Sequence, residues 1–246
     1  MHAPAAMSPA DHCLHWPPGS QQHTLWLMPE RAAFEPETRT LFVADVHLGK
    51  AAVFRARGLP VPQGTSTDTL SRLSQALDRS GARHMVVLGD FLHARESHAP
   101  GTLAALSAWR DRHPDVDALV VEGNHDVHAG QVQASLGIVT RTAPYVHGFL
   151  HGLHAPPPEG QASSEASSGA LTLAGHVHPV ARLRGRIDSL RLPVFWLRDA
   201  VLVLPAFGEF TGGYAIGPSR QPGEQRFVVG EQVTPLLNNP AKPARD

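Results

Sequence analysis

Cysteine is almost missing from this chain, since Cys13 is the only one among 246 residues. A single cysteine excludes an internal disulfide bond and a metal site built from several thiolates. Any bound metal ion must therefore be held by oxygen and nitrogen ligands. Cys13 lies in a proline-rich segment, residues 1 to about 20, that we expect to be a disordered leader.

Long hydrophobic runs and an excess of basic residues are also missing. No stretch approaches the roughly 18 apolar residues that a membrane span requires, and the N-terminus lacks the apolar core of a secretory signal. We therefore expect a cytoplasmic protein that does not contact a membrane. The formal net charge is -1. Proteins that hold nucleic acid mainly through its phosphates carry a basic surplus, so bulk charge gives no support for tight DNA binding.

Length and pattern predict one globular domain over residues 21–235. In the first half, short apolar runs that fit buried strands alternate with helical patterns at about residues 49–58, 66–79 and 102–112, which is typical of a layered α/β protein. One of these apolar runs covers residues 84–88. The second half reads as strands, which we expect to be antiparallel, at about residues 138–141, 147–153, 171–174, 194–197 and 201–204. Residues 156–169 are rich in Pro, Gly and Ser and predict a mobile surface loop, and residues 236–246 predict a disordered tail.

Histidine is abundant, with 16 residues, and several of these follow predicted strands. Because the carboxyl ends of neighbouring strands collect on one edge of a sheet, we expect the loops that leave them to meet. Any one of these loops alone would read as an ordinary turn, but four of them in one chain predict a shared site. The four are Asp45-Val46-His47, Gly89-Asp90, Gly123-Asn124-His125-Asp126 and Gly175-His176-Val177-His178.

These residue types suit a pair of divalent ions about 3.5–4 Å apart, an arrangement that polarises a phosphoester and activates water. The Asp90 carboxylate can offer one oxygen to each ion, Asn124 supplies an uncharged oxygen, and His176 and His178 can be divided between the ions. Mixed carboxylate and imidazole ligands favour Mn, Fe or Zn over Ca or Mg, and Mn is our first choice.

As a set, the four motifs resemble those of the calcineurin-like metallophosphoesterases. The resemblance implies a four-layered α/β sandwich with two central mixed β-sheets flanked by helices. It also implies His125 as the general acid, with Asp126 orienting it. The implied ligands are Asp45, His47, Asp90 and His178 for one metal, and Asp90, Asn124, His176 and one further His for the other.

Two residues are candidates for that further ligand, because His151 and His154 each follow a leucine in the same apolar segment. We favour His154, since a His followed one residue later by Pro fits the closer relatives, with His151 as the alternative. His93 and His98 follow the Asp90 loop. We interpret them as exposed loop residues, with a position lining the pocket as the alternative.

A narrower resemblance, to the PdeM group of bacterial phosphodiesterases, covers nearly the whole chain. It implies a phosphodiesterase or endonuclease, linked to a DNA ligase and helicase repair set, that hydrolyses a phosphodiester by metal-bound hydroxide. Lys50 and Arg55 are then candidates for gripping a substrate phosphate. The alternatives are a phosphomonoesterase acting on a nucleotide or phosphoprotein, and a catalytically idle scaffold with the same fold. The motifs that carry this resemblance are Asp45-Val46-His47-Leu48-Gly49-Lys50, Arg55, Gly58 to Gly64, Gly89 to His93, Gly175 to Pro179 and Leu204 to Gly213.

Overall fold

Two mixed β-sheets face each other across an apolar core in the computed structural model, which describes residues 8–56, 58, 65–130, 132–158, 169–184, 189–209, 211–217 and 223–236. The first sheet contains, in spatial order, β1 (His12–Trp16), β2 (His23–Met28), β3 (Ala32–Glu35), β4 (Thr40–Val43), β5 (His84–Leu88), β6 (Asp117–Val121) and β7 (Ile138–Arg141). Strands β1 to β4 are antiparallel and β4 to β7 are parallel.

The second sheet is built from the C-terminal half of the chain. Its strands are β8 (Tyr145–His147), β9 (Leu150–Leu153), β10 (Leu171–Ala174), β11 (Pro179–Arg184), β12 (Ser189–Arg198), β13 (Val201–Val203) and β14 (Tyr214–Ala215), in the spatial order β14-β11-β12-β13-β10-β9-β8. A further strand, β15 (Gln225–Val229), pairs with β12 and with β16 (Val233–Pro235). The expectation of antiparallel pairing was wrong at the centre, because β10 runs parallel to both β9 and β13.

Side-chain alternation along β4 shows how one strand serves two cores. Leu41 and Val43 join a cluster with buried helical residues, whereas Phe42 and Ala44 join the cluster between the sheets. Successive side chains of a strand point to opposite faces, so a run that is apolar at every position is buried on both sides. The structure therefore confirms two mixed sheets with flanking helices.

The helices follow β4 in sequence and are α1 (Lys50–Ala56), α2 (Thr65–Ser80), α3 (Pro100–Arg112) and α4 (Asn124–Ala129). Helix α2 buries Leu70, Leu73 and Leu77 against the first sheet, as their spacing predicts. Among the described residues, no helix is both long enough and apolar enough to span a bilayer.

The N-terminal strand corrects the predicted leader of residues 1–20. His12–Trp16 pairs with β2 over its whole length. Leu14 and Trp16 are buried between the sheets, and the Trp16 indole donates a hydrogen bond to the Gly169 carbonyl at 2.8 Å. Burial of two large apolar side chains at alternate positions keeps this segment in the sheet. Residues 1–7, most of the predicted 156–169 loop and residues 237–246 lie outside the described residues.

Candidate metal centre

The predicted strand-end residues leave the carboxyl ends of strands from both sheets. Asp45 and His47 follow β4, Asp90 follows β5, His154 follows β9, and His176 and His178 follow β10. Asn124 departs from the predicted loop, because it is the first residue of α4 and follows Gly123 at the cap of that helix.

The backbone conformation at these positions is unusual for residues other than glycine. Five of them have left-handed φ angles, from 48° at His47 to 68° at His176. This region is sparsely populated by non-glycine residues and costs of order 1–3 kcal/mol for each residue, so it persists only where surrounding structure fixes it. The backbone curls here in a way that turns side chains from different loops towards one centre. The five are Asp45, His47, Asp90, His176 and His178.

One group of potential ligand atoms comprises Asp45, His47 and His178, whose atoms all lie within 4.8 Å of one another. His178 Nδ1 donates to the Thr211 carbonyl at 2.9 Å, which leaves Nε2 facing Asp45 Oδ1 at 3.5 Å. Burial lowers the pKa of His178, but the facing Asp45 carboxylate outweighs burial and raises it. A cation at this point would take the place of that proton between imidazole and carboxylate.

His47 completes this group as a candidate ligand that stays neutral. Its side chain is only 2% exposed. Burial, followed by the charges of Lys50 and neighbouring imidazoles, lowers the pKa of His47 to about 2. Because imidazole coordinates metal only in its neutral form, this environment keeps His47 ready to bind across the physiological pH range.

A second group comprises Asp90, His154 and His176. His154 Nε2 lies 2.6 Å from Asn124 Oδ1 and 3.0 Å from His176 Nδ1, and it lies 3.6 Å from Asp90 Oδ1. Ligands bound about 2.1 Å from one ion lie roughly 3 to 3.4 Å from each other, so these four residues fit a common ion. Asn124 and His176 are exposed, whereas His154 and Asp90 are buried, so solvent reaches the site from the Asn124 side.

Asp90 connects the two groups. Its Oδ2 lies 3.8 Å from His47 Nε2 and its Oδ1 lies 3.6 Å from His154 Nε2. One carboxylate oxygen therefore faces each group, as a bridging ligand requires. Oδ1 also accepts a hydrogen bond from the backbone N–H of His125 at 2.8 Å.

Asp45 provides a test of whether a cation fits this site. Its side chain is fully buried, and Oδ1 has no hydrogen-bond partner among the described residues. Buried carboxylate oxygens are normally paired, because an unpaired buried charge is costly. Oδ1 instead faces the ring nitrogens of His178 at 3.5 Å and His154 at 3.9 Å. An unpaired anionic oxygen beside imidazole nitrogens fits a position that binds a cation.

Glycines allow the loops to approach this closely. A Cβ on Gly89 would lie 2.1 Å from His154 Nδ1, and one on Gly123 would lie 2.4 Å from the Asp90 backbone nitrogen. A Cβ on Gly175 would lie 2.6 Å from Asp45 Oδ2. In three of the four motifs, the leading glycine is therefore required by packing against another candidate ligand.

Comparison with solved structures identifies the fold family. The structure matches that of the Pseudomonas putida nuclease MPE with a TM-score of 0.76 and 39% sequence identity, over 92% of this chain and 100% of that chain. The chain belongs to the calcineurin-like metallophosphoesterases, as a member of the PdeM group. These enzymes are hydrolases that act on phosphoester bonds. A phosphoesterase of E. coli, Yfce, matches at 18% identity and a TM-score of 0.38 over 81% of this chain and 99% of that one. No family model and no curated protein matches the sequence.

The two candidates for the further ligand of this metallophosphoesterase occupy different places. His154 lies within the second group, whereas His151 lies in the middle of β9 opposite Val146 and Thr172. Within the described part of the chain, His151 belongs to none of the groups that could hold an ion. The geometry therefore favours His154 as the ligand.

His125 lies at the rim of the first group, but the group that orients its ring is not the one predicted. His125 Nδ1 lies 2.9 Å from the backbone carbonyl of His93, to which it can donate. The Asp126 carboxylate instead accepts from the backbone N–H groups of Leu92 and Gly123, both at 3.1 Å. Burial raises the pKa of Asp126 to about 6, although these two hydrogen bonds lower it. Asp126 thus ties the two loops together and supports the ring indirectly.

His93 was interpreted from the sequence as an exposed loop residue, and this preference was wrong, because the structure places it half-buried beside the site. Its ring stacks on His125 with centroids 4.8 Å apart, and its Nδ1 lies 3.4 Å from His47 Nδ1. The three imidazoles of His47, His93 and His125 form a third group of potential ligands. The only signal was its position three residues after Asp90. Pairing of Leu48 with Leu92 brings that position to the site, and sequence alone does not reveal this pairing.

Of the two predicted phosphate-binding cations, one lies near the centre. Lys50 lines a small cavity with His47, and its pKa is lowered by burial, although Asp90 and Asp45 raise it. Arg55 is exposed five residues further along α1, roughly 140° around the helix from Lys50. The structure therefore brings Lys50 to the centre and leaves Arg55 on another side of α1.

Proposed function

We propose that this metallophosphoesterase hydrolyses phosphodiesters with two divalent ions that share Asp90. The observation that supports this most strongly is the division of the Asp90 carboxylate, which turns one oxygen to His47 and the other to His154. A single-ion site needs no such arrangement, whereas two ions about 3.5–4 Å apart can share one carboxylate in this way.

The proposed ligands divide into two sets around that bridge. Asp45, His47, Asp90 and His178 would hold the first ion, and Asp90, Asn124, His154 and His176 would hold the second. When bound, such ions neutralise the nonbridging phosphate oxygens and lower the pKa of water. The mixture of imidazole and carboxylate supports manganese as the first choice, with iron or zinc as alternatives.

His125 would act as the general acid. If Nδ1 donates to the His93 carbonyl, Nε2 carries a proton only in the imidazolium form, and it can release that proton to the departing alkoxide. The neutral ring that results keeps its bond to the carbonyl, so its orientation does not change. Stacking against His93 holds the plane of the ring.

A nucleic acid is the substrate class that we favour, because the Pseudomonas putida protein that matches this chain at 39% identity is named a nuclease. Through the resemblance to PdeM proteins, we extend the proposal to a cytoplasmic role in DNA repair, alongside a DNA ligase and helicase. Lys50 would contact a substrate phosphate, which its position in a small cavity beside His47 supports.

The test is hydrolysis by purified protein, supplemented with Mn²⁺, of a bis-aryl phosphate, an aryl monophosphate, cyclic nucleotides, and single-stranded or duplex DNA. We expect the diesters to be cleaved in preference to the monoester. Faster cleavage of the monoester would instead identify a phosphomonoesterase, and no turnover of any substrate would favour an idle scaffold.

Replacing His125 tests its role as the acid. We expect His125→Asn to lower kcat for alkyl or nucleotide leaving groups by about 10²–10⁴-fold, and to lower kcat much less for an aryl leaving group that needs no proton. His84→Asn, an exposed histidine at the other end of β5, is the matched control. Equal losses on good and poor leaving groups would remove His125 from the acid role.

A further inference from the structure

A cavity of about 290 Å³ opens beside His178, next to the proposed metal centre. His178 and the adjoining start of β11 form one wall, and Arg31, Arg191 and Glu209 also line the cavity. The volume is near the lower end of the roughly 300–1,000 Å³ typical of small-molecule sites. A group of the substrate next to the scissile phosphate could therefore enter it.

The charge that lines this cavity is positive overall. Glu209 is bound by Arg72 at 2.5 Å and lies 3.6 Å from Arg31. Burial raises the pKa of Glu209, but the hydrogen bond to Arg72 and the charges of both arginines outweigh burial and lower it. The carboxylate is thus ionised and neutralised by two guanidinium groups. Arg191 donates one bond to the Gly213 carbonyl at 2.7 Å and retains further donors.

Strand pairing adds a second arginine outward from the cavity. Arg182 on β11 lies directly opposite Arg191 on β12, so both side chains are on the same sheet face as the opposed pair Val180 and Pro193. Val180 and Pro193 line the cavity. Both arginines are exposed, and neither has a carboxylate partner in the described part of the chain. Like charges placed directly opposite destabilise a sheet, so an anion bound between these two arginines would stabilise the pair.

We propose that Arg191 and Arg182 bind the sugar–phosphate backbone of a polynucleotide next to the scissile phosphodiester. This inference rests on the proposed function and specifies its substrate class. A strand rise of about 3.3 Å per residue puts Arg182 roughly 10 Å along β11 from Pro179, so the pair meets a ligand that extends away from the centre. Guanidinium groups suit phosphate because they donate two parallel hydrogen bonds.

The test compares kcat/KM for a single-stranded oligonucleotide with kcat/KM for a bis-aryl phosphate, in Mn²⁺ at several salt concentrations. We expect Arg191→Ala to lower the oligonucleotide-to-aryl ratio about tenfold, and Arg182→Ala with Arg191→Ala to lower it further. The dependence of log kcat/KM on log salt should become shallower by about 0.7 for each phosphate that the variant no longer neutralises. Arg191→Lys, which keeps the charge but not the two parallel hydrogen bonds, should keep the wild-type salt dependence and lose part of the ratio.

Arg112→Ala supplies the control, because Arg112 is exposed on α3 and lines a different pocket from the one beside His178. Its ratio and salt slope should match the wild type. A ratio for Arg191→Ala equal to that for Arg112→Ala would overturn the inference and leave the proposed function intact. Wild-type protein that cleaves the aryl diester but no oligonucleotide would remove the backbone site together with the proposed nucleic-acid substrate, and would leave the phosphodiesterase activity standing. Wild-type protein that cleaves neither would refute both.

Discussion

Replacement of Asp90 by Asn tests the two-ion centre without relying on catalysis. Asn preserves the size of the side chain and can still accept the hydrogen bond from the backbone N–H of His125, but it cannot give one anionic oxygen to each ion. We therefore expect purified wild-type protein to contain two equivalents of metal after Mn²⁺ loading, and Asp90→Asn to contain one or none. Elemental analysis measures this directly.

Thermal unfolding measures how much each bound ion stabilises the fold. An ion present at a hundredfold excess over its Kd stabilises the folded state by about 2.7 kcal/mol. The unfolding entropy of a chain of 246 residues is about 0.5 kcal/mol per degree at 2.1 cal/mol/K per residue, so each occupied site should raise Tm by about 5 °C. Two sites should raise the wild-type Tm by about 10 °C, and Asp90→Asn should lose most of this rise.

Without metal, Asp90→Asn should change Tm in the opposite direction. Asp45 and Asp90 are both buried, and Asp45 Oδ1 is unpaired among the described residues, so removing one negative charge relieves an unfavourable arrangement. We expect chelated Asp90→Asn to unfold at the wild-type temperature or above it. Asp115→Asn, an exposed carboxylate before β6, should leave both temperatures unchanged. Undiminished metal content and an unchanged Tm rise in Asp90→Asn would refute the shared centre.

Two further changes test packing and pH response. Gly89→Ala should lower metal content and cost at least 1–3 kcal/mol in the free energy of unfolding, because Gly89 has φ 77° and its Cβ would meet His154. Gly148→Ala, with φ 57° but no atom within 4 Å of its Cβ, separates backbone strain from the clash, and equal losses would contradict the packing argument. Burial lowers the pKa of His113, although Asp78 raises it, so the folded state binds fewer protons than the unfolded state below about pH 6.5. The associated stability is complete above that pH and is lost as pH falls, so urea unfolding from pH 8 to pH 5 should show a smaller decline for His113→Gln, and parallel curves would refute this.

Much of the first sheet could be predicted from sequence because its strands are short, apolar and separated by clear helix or turn signals. His84–Leu88 and Ile138–Arg141 form strands with the predicted bounds. The segment from His147 to Leu153 was predicted as one strand, but Gly148, with a left-handed φ, turns the chain between β8 and β9. Periodicity alone does not distinguish one strand from a tight hairpin.

The features of the site that the sequence did not predict depend on residues that are close in space but distant in sequence. Positions after strands identified the residues that converge, since strand ends of a parallel sheet share an edge. Asp126 was assigned to orient its sequence neighbour His125, but backbone contacts place it between Leu92 and Gly123. Hydrogen bonds between loops that are distant in sequence decide such partners, and no local pattern encodes them.

Residues with left-handed φ angles must be held in that conformation by the structure around the centre. A cost of order 1–3 kcal/mol at each of five candidate ligands is a large fraction of the 5–15 kcal/mol by which a domain is typically stable. The loop after β13 helps to hold two of these residues: Gly208 donates to the Asp45 carbonyl at 3.0 Å, and the Thr211 carbonyl accepts from His178. The same loop is bound by Arg72 through the Phe207 carbonyl and Glu209. Metal binding would favour the same conformation, so the strained loops and the ions should stabilise each other.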